Sequence, residues 1–157
     1  PAHKGHLAIS KEAKKRFDLK KIIWAITKKN PFKIESQTTI SKRIKYCKEI
    51  IGLNSFIKVK FYENIIKSNR TIDLINYIKK NKKIEIYFLM GADNLINFHK
   101  WHKSKLISQK CNILVFDRYG YKKNSLKSKT FKELDKNILT FVNFKKVNIS
   151  SSQLRKI

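Results

Sequence analysis

The sequence of 157 residues is poor in glycine, proline, cysteine and acidic side chains. With only 4 Gly and 2 Pro it lacks a linker composition, and we expect disorder only over residues 121–132. The two cysteines, Cys47 and Cys111, show no CxxC or Cys/His metal spacing, which argues against a disulfide framework or a zinc ribbon. Apolar runs all fall well short of the roughly 20 residues of a membrane span. A cytoplasmic location is therefore expected.

Acidic side chains are the most conspicuous shortage. The chain has 11 of them against 37 lysines and arginines, which gives a net charge of +26. Such a surplus attracts phosphates, nucleic acids or anionic lipids, so we expect an anionic partner. Most basic residues are lysines, however, and Ile, Asn and Phe are also abundant. Because AT-rich codons encode all of these, part of the charge reflects genome composition.

Short apolar runs alternate with stretches of helical periodicity. Runs rich in β-branched and aromatic residues predict strands at residues 21–27, 56–61, 83–90, 112–116 and 140–149. Apolar positions at helical spacing predict helices over residues 7–19, 38–53 and 71–81. This alternation predicts an α/β fold, doubly wound around a mostly parallel sheet. Ligands of such sheets bind beyond the carboxyl ends of the strands.

The chain opens with "PAHKGH", in which His3 and His6 flank Gly5. Two histidines three apart at the start of a helix lie on one side of it, and Gly5 has no Cβ to keep a phosphate from the backbone. Free N–H groups at a helix N-terminus add partial positive charge there. The pattern predicts a phosphate-binding site. Two surface histidines near a frayed terminus are the alternative.

A second polar motif, "ISSSQLR", lies near the end of the sequence. Its Ser150, Ser151 and Ser152 precede Leu154 and Arg155, as in a helix start at which a serine caps the first turn. The planar guanidinium of Arg155 can hold two phosphate oxygens at once. The motif therefore predicts further phosphate contacts, the alternative being an ordinary helix cap with a solvated arginine.

Taken with "FLMGADNLINFHKWHK" at residues 88–103, these motifs resemble the nicotinate-nucleotide adenylyltransferases of the HxGH nucleotidyltransferase superfamily. The opening resembles the end of the family's Gly-Gly-x-Phe-Asp-Pro-x-His-x-Gly-His signature. "ISSSQLR" resembles its Ile-Ser-Ser-Thr-x-Ile-Arg motif, with Ser152 in place of Thr. Weaker matches are "NPFK", Arg43, "RTID" and "FDRYGY". The resemblance implies a Rossmann-like nucleotidyltransferase fold, in one domain over residues 1–157 that is truncated at both ends.

The resemblance also implies a reaction and a set of ATP-binding residues. Members of the family join ATP to nicotinate mononucleotide, making deamido-NAD and pyrophosphate, with Mg²⁺ accompanying ATP. The mononucleotide phosphate attacks the α-phosphorus in line, so no covalent enzyme intermediate is needed. The catalytic residues implied are His3, His6 and Arg155. The ATP-binding residues implied are Gly5, Gly91, Asp93, Ser150, Ser151 and Ser152.

For nicotinate mononucleotide, the resemblance implies that Trp101 stacks on the pyridine ring, that Thr71 meets its carboxylate and that Lys33 lies in the substrate site. Each of these residues also has an ordinary structural alternative. Trp101 can be a half-buried packing anchor, Asp93 a helix N-cap and Lys33 a solvated lysine. His99 and His102 are three apart on a predicted helix, but without a third ligand nearby we predict no metal site.

Two rival functions remain open at this point. One is another HxGH adenylyltransferase, acting on nicotinamide mononucleotide or phosphopantetheine. The other is a basic nucleic-acid-binding module, suggested by the net charge and by Phe56, Phe61 and Tyr62 among lysines. We expect neither nucleic acid nor membrane as a partner, because the lysines are scattered and no nucleic-acid-binding motif is present. The oligomeric state is left open.

Overall fold

A computed structural model describes residues 2–28 and 39–144. The helices are α1 Lys4–Phe17, α2 Ile40–Ile51, α3 Glu63–Ile66, α4 Thr71–Lys79, α5 Ala92–Leu95, α6 Ser104–Lys110, α7 Lys122–Leu126 and α8 Lys129–Glu133. The strands are β1 Ile22–Ala25, β2 Ile57–Lys60, β3 Tyr87–Gly91, β4 Asn112–Phe116 and β5 Leu139–Val142. A 3₁₀ helix, Phe98–Lys100, lies between α5 and α6. Within the described ranges, no helix is long and apolar enough to cross a membrane.

The chain divides into two compact units, and within the described residues the boundary lies between Asn69 and Arg70. The first contains α1 to α3 and a two-stranded parallel sheet in which Ile22 of β1 lies opposite Ile57 of β2. Its core is formed by buried apolar residues of the first two helices and both strands: Ala13, Ile22, Cys47, Ile51 and Ile57. Helix α2 stops at Gly52, whose φ of 56° suits a residue without a Cβ.

The second unit, Arg70–Lys145, is organised by a parallel sheet in the order β3-β4-β5. The middle strand, "NILVF", is covered on both sides, because residues 113–116 are at most 1% exposed. A continuous apolar run of this kind is what a central parallel strand requires. Ile72 and Ile75 of α4 and Ile107 of α6 pack into the same core.

The structure confirms the predicted α/β class, since every strand pair among the described residues is parallel and helices alternate with strands. All five predicted strands and three predicted helices form, most of them within shorter bounds. The described strands make two sheets of two and three strands. Residues 145–149 of the last predicted strand lie outside the described part, and the single domain stays a prediction.

The prediction of disorder over residues 121–132 is wrong, because this segment forms α7 and most of α8. Ser128 caps α8: its hydroxyl accepts the Phe131 N–H at 3.2 Å and donates to the Ser125 carbonyl at 2.6 Å. Phe131 packs against the core of the second unit. The polar composition of this segment did not indicate that Phe131 packs against the core or that its serines form hydrogen bonds to the backbone.

Both cysteines are free and buried. The Cys111 thiol donates to the Ile107 carbonyl at 3.1 Å. Burial raises the pKa of Cys111 to about 11, although the nearby Lys79 charge opposes the shift. Burial also raises the pKa of Cys47. Both thiols therefore stay protonated and unreactive near neutral pH.

We expect the burial of Cys111 to make folding less favourable at high pH. Because its pKa is about 11 in the folded protein against an ordinary 9.0, the folded chain holds the thiol proton more tightly than the unfolded chain. This stabilisation is complete below pH 9.0 and is lost as the pH rises through about 11. Urea unfolding at several pH values measures this effect. The difference in the free energy of unfolding between wild type and Cys111→Ala should become smaller above pH 9.0. A difference that stays constant with pH would contradict the raised pKa of Cys111.

Candidate active site

In the first unit, His3 and His6 cap the start of α1 reciprocally. His3 has an extended backbone, and its Nδ1 accepts the Gly5 N–H at 3.0 Å. The Nδ1 of His6 in turn accepts the His3 N–H at 3.2 Å. The two ring centroids are 4.1 Å apart. The histidines predicted to share one side of a helix start are therefore adjacent, and each imidazole replaces a missing backbone acceptor.

These hydrogen bonds define what the two imidazoles can do. A nitrogen that accepts an N–H carries no proton, so a neutral imidazole bound in this way has its proton on Nε2. Both His3 and His6 then present Nε2 as a donor, next to the positive end of the helix dipole. The pair can donate hydrogen bonds to an anion such as a phosphate. The Gly5 N–H, by contrast, is already used by His3.

In the second unit, Gly91 is the last residue of β3, and Asp93 and Arg118 lie beyond the carboxyl ends of the adjacent parallel strands β3 and β4. Asp93 Oδ2 accepts a hydrogen bond from Nη1 of Arg118, while Asp93 Oδ1 is buried without a hydrogen-bond partner in the described chain. The expected alternative for Asp93 is wrong: Gly91 is the cap of α5, and Asp93 lies in the first turn.

Gly91 leaves room for the Asp93 carboxylate. A Cβ at position 91 would lie 2.6 Å from Asp93 Oδ1, closer than any real contact. Arg118 belongs to the weak family match "FDRYGY" at residues 116–121 but was not among the predicted site residues. A position two residues past the end of β4 was the available signal. Arg118 also lies over the Tyr121 ring, 5.6 Å from its centroid.

A third group, also in the second unit, includes Thr71 and Trp101. Thr71 is the first residue of α4, and Trp101 follows the 3₁₀ helix. Their neighbours Arg70 and His102 are joined by a 3.1 Å hydrogen bond. Because arginine only donates, Nε2 of His102 is the acceptor. The bond brings together the two segments that were predicted to bind the nicotinate group.

Trp101 is half-buried against aromatic rings. Its ring centroid is 5.2 Å from that of Phe98 and 5.8 Å from that of Phe88, the latter edge-on. Trp101 is therefore a packing anchor, as the alternative predicted. Part of its indole ring remains accessible. Within residues 2–28 and 39–144, no group of three or more His, Cys, Asp or Glu could hold a metal ion.

Several predicted site residues lie outside the described residues: Lys33, Ser150, Ser151, Ser152 and Arg155. Their roles stay predictions. Of the remaining predicted residues, the structure brings together His3, Gly5 and His6 in the first unit. In the second it brings together Gly91 and Asp93, and the Thr71 and Trp101 segments.

A family model, cytidylyltransferase-like, matches residues 1–157. The chain is 70% identical over its whole length to the "probable nicotinate-nucleotide adenylyltransferase" of Pelagibacter ubique, of which it covers 87%. It is 34% identical to the protein of the same name from a Nitratiruptor species, over 78% of this chain and 70% of that protein.

Solved structures resemble the fold. Two are of Plasmodium falciparum nicotinic acid mononucleotide adenylyltransferase, one complexed with NaAD and one with APC. The first has a TM-score of 0.73 at 19% identity, over 98% of this chain and 76% of that one. The second has a TM-score of 0.76 at 20% identity, over 99% and 77%. These likenesses confirm the predicted Rossmann-like nucleotidyltransferase fold.

We expect Gly91→Ala to displace the Asp93 carboxylate and so break its ion pair with Arg118. The pair is partly exposed, so the expected loss of stability is about 1 kcal/mol. Urea unfolding of Gly91→Ala, Asp93→Ala and the double variant measures it. With Asp93 truncated, the added methyl group meets no carboxylate, so Gly91→Ala should then cost little. Equal losses in both backgrounds would refute the clash.

Proposed function

Because this chain belongs to the nicotinate-nucleotide adenylyltransferase family, we propose that it transfers AMP from ATP to nicotinate mononucleotide, giving deamido-NAD and pyrophosphate. The family resemblance inferred from the motifs is confirmed, and the chain is a nucleotidyltransferase. The observation that carries the proposal is the match of the entire chain to a relative of that name. The arrangement of His3 and His6 supports it.

In the proposed reaction the mononucleotide phosphate attacks the α-phosphorus of ATP in line, and pyrophosphate leaves. Negative charge accumulates on the phosphate oxygens, so catalysis consists of positioning and charge stabilisation. His3 and His6 supply this through Nε2–H donors to the α- and β-phosphates. Because backbone N–H groups already fix both imidazoles, little reorganisation is needed as the charge develops.

We assign Asp93 to a ribose hydroxyl of ATP. Its buried Oδ1 has no hydrogen-bond partner among the described residues, and a hydroxyl donor would satisfy it. Arg118 holds the other carboxylate oxygen, and Gly91, which has no Cβ, leaves room for the carboxylate itself. This makes Arg118 a positioning residue that the motif analysis left without a role.

The nicotinate ring is assigned to Trp101 and its carboxylate to Thr71. The half-buried indole, braced by Phe88 and Phe98, offers a flat and rigid surface to a pyridine ring. The Arg70–His102 bond supports this assignment because it joins the two segments. Lys33, Gly5, Ser150, Ser151, Ser152 and Arg155 keep the substrate roles that the family resemblance implies.

Mg²⁺ enters this proposal as part of the MgATP substrate. Magnesium keeps much of its water and binds substrate phosphates readily, so it needs no cage of protein ligands. The described part of the chain offers no such cage. A cytoplasmic location goes with the proposal, and two free thiols suit a reducing compartment.

Removing the His6 imidazole should lower kcat by about 10²- to 10³-fold, as expected for one preorganised donor to a developing charge. His6→Ala tests this in a pyrophosphate-release assay. His6→Asn is the second variant, because its amide oxygen can still accept the His3 N–H and so preserve the cap. His99→Ala, an exposed histidine outside this site, is the control and should keep wild-type turnover. Wild-type kcat in both His6 variants would overturn the assignment.

Nicotinate mononucleotide should be the better acceptor. Comparing kcat/KM for nicotinate and nicotinamide mononucleotides, with MgATP saturating, decides between the proposed reaction and its nearest rival. We expect at least about a tenfold preference for the acid, since replacing a charged carboxylate by an amide removes a charge-assisted hydrogen bond. A preference for the amide would contradict the proposal.

A further inference from the structure

Ser10 and Trp24 surround His6 in a way that the family motifs do not predict. We propose that they are positioning residues for His6, which set the direction of its Nε2–H donor; the inference rests on the proposed function of His6. Trp24 lies in β1 and Ser10 in the second turn of α1. Both belong to the first unit and contact His6 through its backbone or its ring.

The first contact is a chain of two hydrogen bonds. The Trp24 indole Nε1 donates to the Ser10 hydroxyl at 2.9 Å, and that hydroxyl donates to the His6 carbonyl at 2.8 Å. The direction is fixed, because an indole N–H cannot accept and so commits Ser10 to accept from it. The serine hydrogen is then directed to His6. Ser10 is only 2% exposed, so water does not readily substitute for either partner.

The second contact is between rings. The centroids of His6 and Trp24 lie 6.0 Å apart, with an interplanar angle of 64°, an edge-to-face arrangement. Trp24 therefore restrains the His6 imidazole directly and its backbone through Ser10. Together with the Nδ1 bond to the His3 N–H, this leaves the imidazole little freedom to rotate.

Such a restraint affects the transition state more than binding. The His6 donor must point to where charge develops, and a misplacement of about 1 Å can cost up to 10²-fold in rate. The other substrate contacts of the proposed function are assigned to residues outside this cluster. Loosening His6 should therefore lower kcat while KM stays nearly constant.

A matched control is available in Ser108, a serine of α6. It is likewise buried, and its hydroxyl donates to a backbone carbonyl of its own helix, Lys105, at 2.7 Å. Truncating it removes the same type of bond with no link to a histidine. Ser108→Ala thus reports the general cost of losing a buried helix serine.

The test measures kcat and KM for Ser10→Ala, Trp24→Phe and Ser108→Ala, each alone and in the His6→Ala background. Trp24→Phe keeps an aromatic ring beside His6 and removes the N–H donor together with one ring of the indole. We expect Ser10→Ala and Trp24→Phe to lower kcat about tenfold with KM changed less than about twofold. Ser108→Ala should leave both constants unchanged.

The His6→Ala background separates positioning from general structure. If Ser10 and Trp24 act through His6, their variants should have no further effect on kcat once the imidazole is absent. Equal losses with and without His6, or wild-type kcat in both variants, would overturn the inference. Should wild type transfer no AMP, the proposed function fails; the positioning is then decided by the His6 imidazole NMR signals, which Trp24→Phe must shift.

Discussion

The hydrogen bonds from the backbone N–H groups of His3 and Gly5, at the start of α1, to the Nδ1 atoms of His6 and His3 are the interaction on which the proposed chemistry depends. They cap the helix, because the first backbone N–H groups of a helix have no acceptor within it. The same bonds set the tautomer, and the tautomer decides whether an imidazole gives or takes a proton at Nε2. Under the proposed function, helix capping and phosphate recognition are therefore one feature of this chain. An aspartate in either position would cap as well but, when ionised, would offer no donor.

A comparable coupling of structure and chemistry occurs at the end of β3. Gly91 is needed because the Asp93 carboxylate folds back over it, and Asp93 is held there by Arg118 from beyond the neighbouring strand. Parallel pairing places these two loops side by side, which is why carboxyl ends of parallel strands collect ligand-binding residues. The partner of Asp93 thus comes from the sheet register, with Gly91 aligned with Phe116.

The histidine pair is local in sequence, whereas Asp93 and Arg118 are brought together by the sheet. This difference explains which residues could be predicted from the sequence. The strands were predictable because buried parallel strands are continuous apolar runs, as in "NILVF". His3, Gly5 and His6 were predictable because their relation is local, within one helical turn. Arg118, Ser10 and Trp24 were not, because each acquires its meaning from a residue distant in sequence. The disorder prediction for the α7–α8 segment failed for a related reason. Phe131 packs against the core of the second unit, and composition does not show such packing.

The lysine excess is better explained as composition than as part of the site. The described groups that we assign to substrate use histidine, aspartate, threonine and tryptophan, supported by arginine, and each would act through a directed atom or a ring face. Lysine offers a mobile and strongly hydrated charge, which suits attraction better than orientation. Charges farther than about 10 Å from a bound anion are largely screened at 0.1 M salt. A net charge of +26 can therefore hasten the arrival of anions at low salt, whereas in the proposed mechanism the direction of the His6 imidazole sets the rate once the substrates are bound.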